Sequence, residues 1–340
     1  MQINDLKDKV TIGIIGAGAI VDMMHLPVLV NMKEISIKWI CDKNIEKAIH
    51  LANKFSIEKS TSIIEECADV DIVLIAIPVG YRKEVFEYVC NRGWNVLVEK
   101  PLAINYEEHK YFSVLMREKK VLVSVGLMRR FYRNVLFMKF IIDSNIYGSL
   151  CRVKASEGAK MRGSQRGGDW YFSDRNASGG GVLIETGSHL VDQVLYITNA
   201  NSFELIDYKQ SVFGEIEYEA IASSYLIAGK QEKQIKFDLI ISKLQDVYPG
   251  IVFSFDKAKI HLQLSPSDFV DVYSNDNVQI GRLTNNNIDG AVNSYQAFYL
   301  EWRDFVKSFH SSTKSVLDID SCLLSTKFID DCYSFKGVNL

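Results

Sequence analysis

The chain has 340 residues, 47% of them apolar and 24% charged, with a formal charge of −3. That length suits two domains of ordinary size, and the composition is that of a folded globular protein. There is no basic field for nucleic acid, no apolar run of membrane-spanning length, and no apolar signal-peptide core in the opening MQINDLKDKV, so a cytoplasmic protein with neither a membrane nor a nucleic-acid partner is expected.

Val10 to Ile15 is a short apolar run ending in Gly16-Ala17-Gly18, after which a helical pattern runs from Asp22 to Met32. Strand, glycine turn and helix form the phosphate-binding opening of a dinucleotide fold. Gly16 allows the tight turn and Gly18 lets the backbone approach a pyrophosphate. Ala19 and Ile20 then open the helix, whose free amides and positive end face the phosphates. Val21 stands where a third glycine is usual, and an ordinary strand–turn–helix satisfies the same pattern. Ile35 to Asp42 is a strand ending in an acid, at about the spacing from the glycines at which a carboxylate takes the adenosine ribose. A carboxylate there repels a 2′-phosphate, so Asp42 argues for NAD over NADP; it would equally cap a helix starting near Asn44.

Asn44 to Phe55 reads as a helix and Ser62 to Cys67 as a short one. Asp71 to Pro78 is a continuous apolar run, the mark of a strand buried on both faces of a parallel sheet, and Ile77-Pro78 ends it where a ligand should lie. Tyr81 to Arg92 is a helix closed by Gly93. Asn95 to Glu99 is another buried strand, followed at once by Lys100-Pro101. Asn105 with Glu108 makes a capping-box-like start to a helix reaching Lys119, and Val121 to Val125 closes the series. The alternation predicts an α/β domain over residues 1–126, a Rossmann-type doubly wound parallel sheet.

The grammar changes over residues 127–340. Phe131 to Ser144 reads as a helix, Leu150 to Ser156 as a strand, Gly158 to Gly181 as a long polar lid-like stretch, and Leu183 to Ile197 as a helix. Residues 203–273 read almost entirely as β, broken at Gly214, Gly229, Pro249 and Asp256. Two helices, Ser294 to His310 and Ile319 to Phe335, finish the chain and are expected to pack back on the first domain. The second domain is thus α+β, with a large open, mostly antiparallel sheet.

Lys100 stands at the carboxyl end of a strand, where a doubly wound sheet faces its ligand, and burial or a neighbouring cation would lower its pKa into acid–base range; a surface lysine at a strand end is the plainer reading. Glu185, His189 and Asp192 stand at i, i+4 and i+7 of an otherwise apolar helix. His189 could pass a proton, with Glu185 orienting it and Asp192 holding its other nitrogen; a partly solvated polar face explains the pattern as well. The other histidines (His25, His50, His109, His261, His310) have no such company. No cysteine or second histidine joins the three to make a metal site, and the six cysteines, none in a CxxC pair, read as reduced core residues. Arg129, Arg130 and Arg133, then Lys160, Arg162, Arg166, Trp170 and Tyr171, form a cationic, aromatic stretch; Arg130, Trp170 and Asp192 are candidates for holding substrate.

With GAGAIVDMMHLP after the first strand, Asp42, VLVEKPLA at residues 96–103 and GGGVLIETGSHLVD at residues 179–192, the chain resembles the glucose-fructose oxidoreductase, inositol dehydrogenase and rhizopine-catabolism family over nearly its whole length. The resemblance implies a nucleotide-binding domain followed by an α/β domain whose open sheet packs against its copy in a homodimer or homotetramer. It also implies that Lys100 contacts the hydroxyl being oxidised, that Glu99 lies against the cofactor, that Lys100–Pro101 is cis, and that His189 is the second acid–base residue. Glu185 falls where many members have aspartate. Where many members carry a histidine after the proline of the preceding strand, this chain offers Tyr81 or Arg82 as a substitute, or lacks the contact.

The expected activity is hydride transfer between NAD and a secondary alcohol of a sugar, cyclitol or nucleotide sugar. An NAD-dependent glycoside hydrolase working by transient oxidation would use the same residues. A non-catalytic NAD-binding sugar sensor would not need them.

Overall fold

The structure, a computed structural model, describes residues 9–160, 174–229, 232–311 and 313–336. Its first sheet contains β1 (Val10–Ile15), β2 (Ile35–Cys41), β3 (Lys59–Thr61), β4 (Ile72–Ile75), β5 (Asn95–Glu99) and β6 (Val123–Gly126), ordered β3-β2-β1-β4-β5-β6 with every pair parallel. β4 reads Ile-Val-Leu-Ile and is buried along its whole length, because helices cover both faces of the sheet. Chain order reverses between β1 and β4, and the carboxyl ends of those strands diverge there into a crevice. β3 was not visible in the sequence: Lys59-Ser-Thr61 is short and polar, and only its pairing with Trp39 to Cys41 makes it a strand.

α1 (Leu26–Leu29) is preceded by a π-helical turn, Val21–His25, closed by the Leu26 N–H to Val21 carbonyl bond. Pro27 has no amide to return to the preceding turn, and the wider turn absorbs that defect. α2 (Ile45–Phe55) is capped by Asn44, whose side chain accepts from the Glu46 and Lys47 amides. After α3 (Arg82–Asn91), α4 (Tyr106–Lys119) starts with Asn105 accepting from the Glu108 amide at 2.8 Å, while Glu108 returns a bond to Ile104, one residue earlier than a strict capping box.

The second domain starts with α5 (Arg133–Ser144) and β7 (Leu150–Gly158), followed by α6 (Arg175–Ser178), α7 (Val182–Glu185) and α8 (Gly187–Thr198). Its remaining strands are β8 (Ala200–Phe213), β9 (Ile216–Ala228), β10 (Lys233–Ser242), β11 (Gly250–Phe255), β12 (Lys259–Leu262), β13 (Phe269–Tyr273) and β14 (Gln279–Thr284). They form one sheet in the order β14-β13-β12-β11-β7-β10-β9-β8, antiparallel except for the β7–β10 pair. The period-two burial of β9, β10 and β11 turns Leu226, Phe237, Leu239 and Phe253 onto the helices and leaves the opposite face half-buried. Both sheets are therefore of the kind the sequence predicts. β14 is an addition at the edge, its polar residues and exposed Ile280 carrying no alternation to read.

The C-terminal segment touches both domains. α9 (Ser294–Ser311) buries Phe298, Trp302, Phe305 and Val306 against Val10, Ile12, Leu26 and Leu29 of the first. Leu317 accepts the Val125 amide at 2.9 Å beside β6, and α10 (Leu323–Ser334) then returns Phe328 and Cys332 to the core of the second.

The turn at Gly16 is dictated by this packing. Gly16 has φ +106°, and a Cβ on it would lie 2.3 Å from the Ala76 carbonyl oxygen, whereas a Cβ on Gly18 would meet nothing within 4 Å. Gly16→Ala is expected to lower the unfolding free energy by roughly 1–3 kcal/mol and Gly18→Ala to leave it nearly unchanged, measured by chemical denaturation. Equal losses in the two would refute this account of the turn.

Candidate active site

At the switch point the glycine turn opens on unobstructed space, with Ala19 and Ile20 exposed at the start of the helical turn. Asp42, just past β2, accepts the Ala17 amide at 2.7 Å on Oδ2 and the Asn44 amide at 2.8 Å on Oδ1. The carboxylate thus steadies the glycine turn and the start of α2 together, and it has lone pairs left for a ribose. Across the crevice, Ile77 packs its side chain 3.2 Å from where a Gly16 Cβ would sit, and Pro78 leads into the turn Val79–Tyr81. An open glycine turn, exposed amides at a helix start and a carboxylate at the β2 end fit a dinucleotide.

β5 delivers Glu99 and Lys100 to the same end of the sheet, and Lys100–Pro101 is cis. Buried Arg82 lies under this turn. Its guanidinium donates to the carbonyls of Glu99 at 2.6 Å and Ile77 at 2.5 Å, and to that of Pro101. It holds the turn from behind, while Tyr81 is exposed with Lys43 over its ring. The Lys100 ammonium donates to the Glu185 carbonyl at 2.9 Å. Burial lowers the Lys100 pKa, against the pull of Glu99 and Glu185 and with the help of Arg129 and Arg82.

Glu185 arrives on α7, whose N-terminus is capped by a residue the sequence did not flag. Buried Glu217 of β9 accepts the amides of Gly181 and Leu183, both at 2.9 Å, and the Tyr333 hydroxyl at 2.8 Å. A Cβ on Gly181 would lie 2.0 Å from the Glu217 carbonyl oxygen, which accounts for that glycine. The predicted single helix is interrupted at Thr186 and continues as α8, which buries His189. No side chain among the described residues bonds His189 Nδ1. Burial first, then the charges of Arg129 and Lys100, hold its pKa well below the usual histidine value, so the ring is neutral and can accept a proton.

The expected Glu185–His189–Asp192 relay is not what the structure assembles. The Glu185 carboxylate pairs with Lys243, just past β10, at 2.8 Å. Asp192 is turned away from His189 and pairs with Arg130, at 2.8 Å to Nε and 2.5 Å to Nη2. Arg130 also donates to the Val316 and Ser321 carbonyls and to the Ser321 hydroxyl, so both proposed substrate ligands sit in a closed, buried ion pair. Gln193 stands one turn on from His189 on α8 and is buried beside it in the helix. Its Oε1 accepts from Arg129 at 3.4 Å, and Arg129 also pairs with Glu157 of β7 at 3.2 Å. Gln193, Glu157 and Lys243 are site residues the sequence reading missed; the i, i+4 spacing from His189 could have found the first. His25 corrects another expectation, because it is bonded to Glu99 at 2.9 Å and to Trp302 at 3.0 Å. Trp170, Tyr171, Arg162 and Arg166 lie outside the described residues.

A parallel sheet of this order, a glycine turn at its switch point and an acid closing its second strand define a dinucleotide-binding domain. Residues 10–127 match the model of the "Oxidoreductase family, NAD-binding Rossmann fold". It is 24% identical over 217 residues to D-glucoside 3-dehydrogenase of Escherichia coli, covering 60% of this chain and 61% of that one. The chain spans between 36% and 63% of the length of the first such curated relatives. Its fold is that of levoglucosan dehydrogenase in complex with NADH and levoglucosan, with a TM-score of 0.81 at 16% identity over 95% of this chain and 96% of that one. It is equally that of KijD10, a 3-ketoreductase from Actinomadura kijaniata in complex with NADP and TDP-benzene, with a TM-score of 0.81 at 15% identity over 96% and 98%.

The buried neutral state of His189 has a consequence for stability. In the fold its pKa lies well below 6.5, and that of buried His109 is pushed down to about 4 by burial. The unfolded chain therefore binds more protons as pH falls below 6.5, and stability present at neutral pH is lost on going from 6.5 toward 4. His189→Gln is expected to recover about 1–2 kcal/mol of that loss between about pH 7 and 5, read from urea midpoints at the two pH values. A variant with the wild-type slope would show that His189 is not held neutral.

Proposed function

We propose that the protein is an NAD-dependent oxidoreductase that transfers a hydride between the cofactor and a secondary alcohol of a sugar, cyclitol or nucleotide sugar. The observation that carries this reading is the placement of half-buried Lys100 and buried His189 at the ligand end of the parallel sheet, with Lys100 held by the carbonyl of Glu185 one turn before His189 and its charge acting on the imidazole. The glycine turn with Ala19 and Ile20 would hold the pyrophosphate, Asp42 the adenosine ribose, and Ile77, Pro78 and Glu99 would line the nicotinamide end. The bound nicotinamide supplies the hydride acceptor and donor.

The chain's own part is orientation and proton handling. Lys100, anchored by the Glu185 carbonyl, donates to the substrate oxygen and fixes the alcohol; its lowered pKa lets it exchange that proton. His189 is neutral and takes the hydroxyl proton as the carbonyl forms. Glu185 thus acts on Lys100 through its backbone and, through Lys243, shapes the polar wall of the crevice. Arg129, Glu157 and Gln193 offer donors and acceptors suited to a polyhydroxylated substrate. Relatives with this fold bind NADH or NADP, and Asp42 supports NAD here. The half-buried outer face of the second sheet suits pairing with a second copy, as a homodimer or homotetramer.

A thermal-shift and NADH-formation screen over cyclitols, aldoses and nucleotide sugars identifies the substrate. Glycoside cleavage with no net change in NADH would replace this reading by the hydrolase one. On the identified substrate, Lys100→Met is expected to lower kcat/KM by roughly 10²–10⁴ while NADH still binds; undiminished turnover would sink the assignment. Asp42→Ala is expected to shift the NADP-to-NAD affinity ratio upward by roughly tenfold or more, measured by fluorescence titration, because it removes the charge facing a 2′-phosphate. An unchanged ratio would remove Asp42 from cofactor selection.

A further inference from the structure

Behind the crevice lies a buried polar cluster of which the proposed function uses Glu99 alone. His25, fully buried at the end of the π-helical turn, has Nδ1 3.0 Å from the indole nitrogen of Trp302 and Nε2 2.9 Å from Oε1 of Glu99. An indole N–H can only donate, so Nδ1 is a bare acceptor and Nε2 carries the ring proton, which it donates to Glu99. The other Glu99 oxygen accepts the backbone amide of Lys100 at 3.1 Å. A chain of directed hydrogen bonds thus runs from α9, through His25 and Glu99, to the backbone of the proposed catalytic lysine.

Glu301 adjoins Trp302 on the same helix. It is fully buried, and neither of its carboxyl oxygens has a hydrogen-bond partner among the described residues. Burial, and after it the charge of Glu99, hold its proton on. Burial also pushes Glu99 upward, but the His25 bond and the charges of Lys100 and Arg82 outweigh it and keep Glu99 ionised. The two carboxyls therefore carry one negative charge between them, on Glu99. The ring of Phe298 covers the edge of His25, and Tyr132, at the start of α5, lies in the field of Glu301.

We propose that His25, Trp302 and Glu301 are positioning residues: they hold the Glu99 carboxylate in one orientation and so fix the backbone from which Lys100 reaches the crevice. The proposal rests on the reading of Lys100 as the acid–base group. Its physical content is a tautomer lock. With Trp302 in place, His25 donates to Glu99 in a single form. Without the indole N–H, Nδ1 is no longer held as the acceptor, the ring can take the other tautomer, and Nε2 then has no proton to give Glu99. Glu301 contributes by staying neutral, because a second charge there would push Glu99 off its partners.

Trp302→Phe keeps the aromatic packing and deletes the N–H. In ¹⁵N spectra of the ligand-free protein, wild-type His25 is expected to show protonated Nε2 and bare Nδ1, whereas Trp302→Phe shows the Nδ1-protonated tautomer as well. The kcat/KM of that variant falls roughly tenfold. Adding His25→Gln, whose amide keeps a donor and has no tautomers to exchange, recovers that loss. Glu301→Gln, neutral by construction, stays within about twofold of wild type at neutral pH. Identical spectra and kcat/KM for Trp302→Phe and wild type would overturn the proposal, as would a tenfold loss in Glu301→Gln. If Trp302→Phe does not fold, His25→Gln alone decides: a folded variant with near-native kcat/KM supports the lock, and a tenfold loss overturns it. A wild-type protein that binds no NADH in fluorescence titration would overturn the functional reading instead, while the spectra would still report the tautomer.

Discussion

One guanidinium holds the two halves of the site together. Arg130 follows the last strand of the first sheet, and it reaches Asp192 on the helix of His189 and Ser321 in the C-terminal turn. All its nitrogens are bonded: Nε and Nη2 to the carboxylate, Nη1 and Nη2 to backbone and hydroxyl oxygens. Burial works against its charge, but Asp192 outweighs it and keeps the guanidinium charged. Breaking such a pair by removing one partner costs about 3–5 kcal/mol, because the other charge is left buried and alone. The position of His189 relative to Lys100 follows from this constraint, since each belongs to a different sheet's set of helices and strands.

The electrostatics of the crevice show how burial and nearby cations together suit Lys100 and His189 to the acid–base role proposed for them. Lys100 and His189 are both driven toward their neutral forms, first by loss of water and then by each other's neighbourhood of cations. The carboxylates nearby are already engaged: Glu185 with Lys243, Glu157 with Arg129, and Glu99 with His25. They set the local field, and among the described residues none of them forms an ion pair with Lys100 or His189. Support comes from outside the crevice, from Arg82 under the turn at Lys100–Pro101 and Glu217 at the start of α7. A reaction that needs groups placed to fractions of an ångström depends on such buried supports as much as on the reacting side chains.

Much of this was legible in the sequence where a residue's role depends on its own strand or turn. The apolar runs around Ile72 to Ile75 and Asn95 to Glu99, the glycine turn and the acid at the end of β2 are local patterns with local causes. The second sheet was legible as alternation. β3 and β14 were not, since short polar strands become strands only by pairing. The stripe of Glu185, His189 and Asp192 misled for a related reason. Helical spacing says which residues share a face, but not which partner each one meets across the interface, nor that the helix breaks at Thr186.

By itself, the sequence determined the parallel sheet, the glycine turn, the acid after β2 and the position of Lys100 at a strand end, because each follows from residue type and period along a short stretch. Only the tertiary structure decided that Asp192 belongs to Arg130, that Arg129 reaches Gln193, that Arg82 and Glu217 brace the site, and that His25 sits between Trp302 and Glu99. Those pairings join residues 62 to 277 positions apart in the Arg130–Asp192 and His25–Trp302 bonds. They exist only once hydrophobic burial has brought the helices and strands together. No pattern within a single element encodes them.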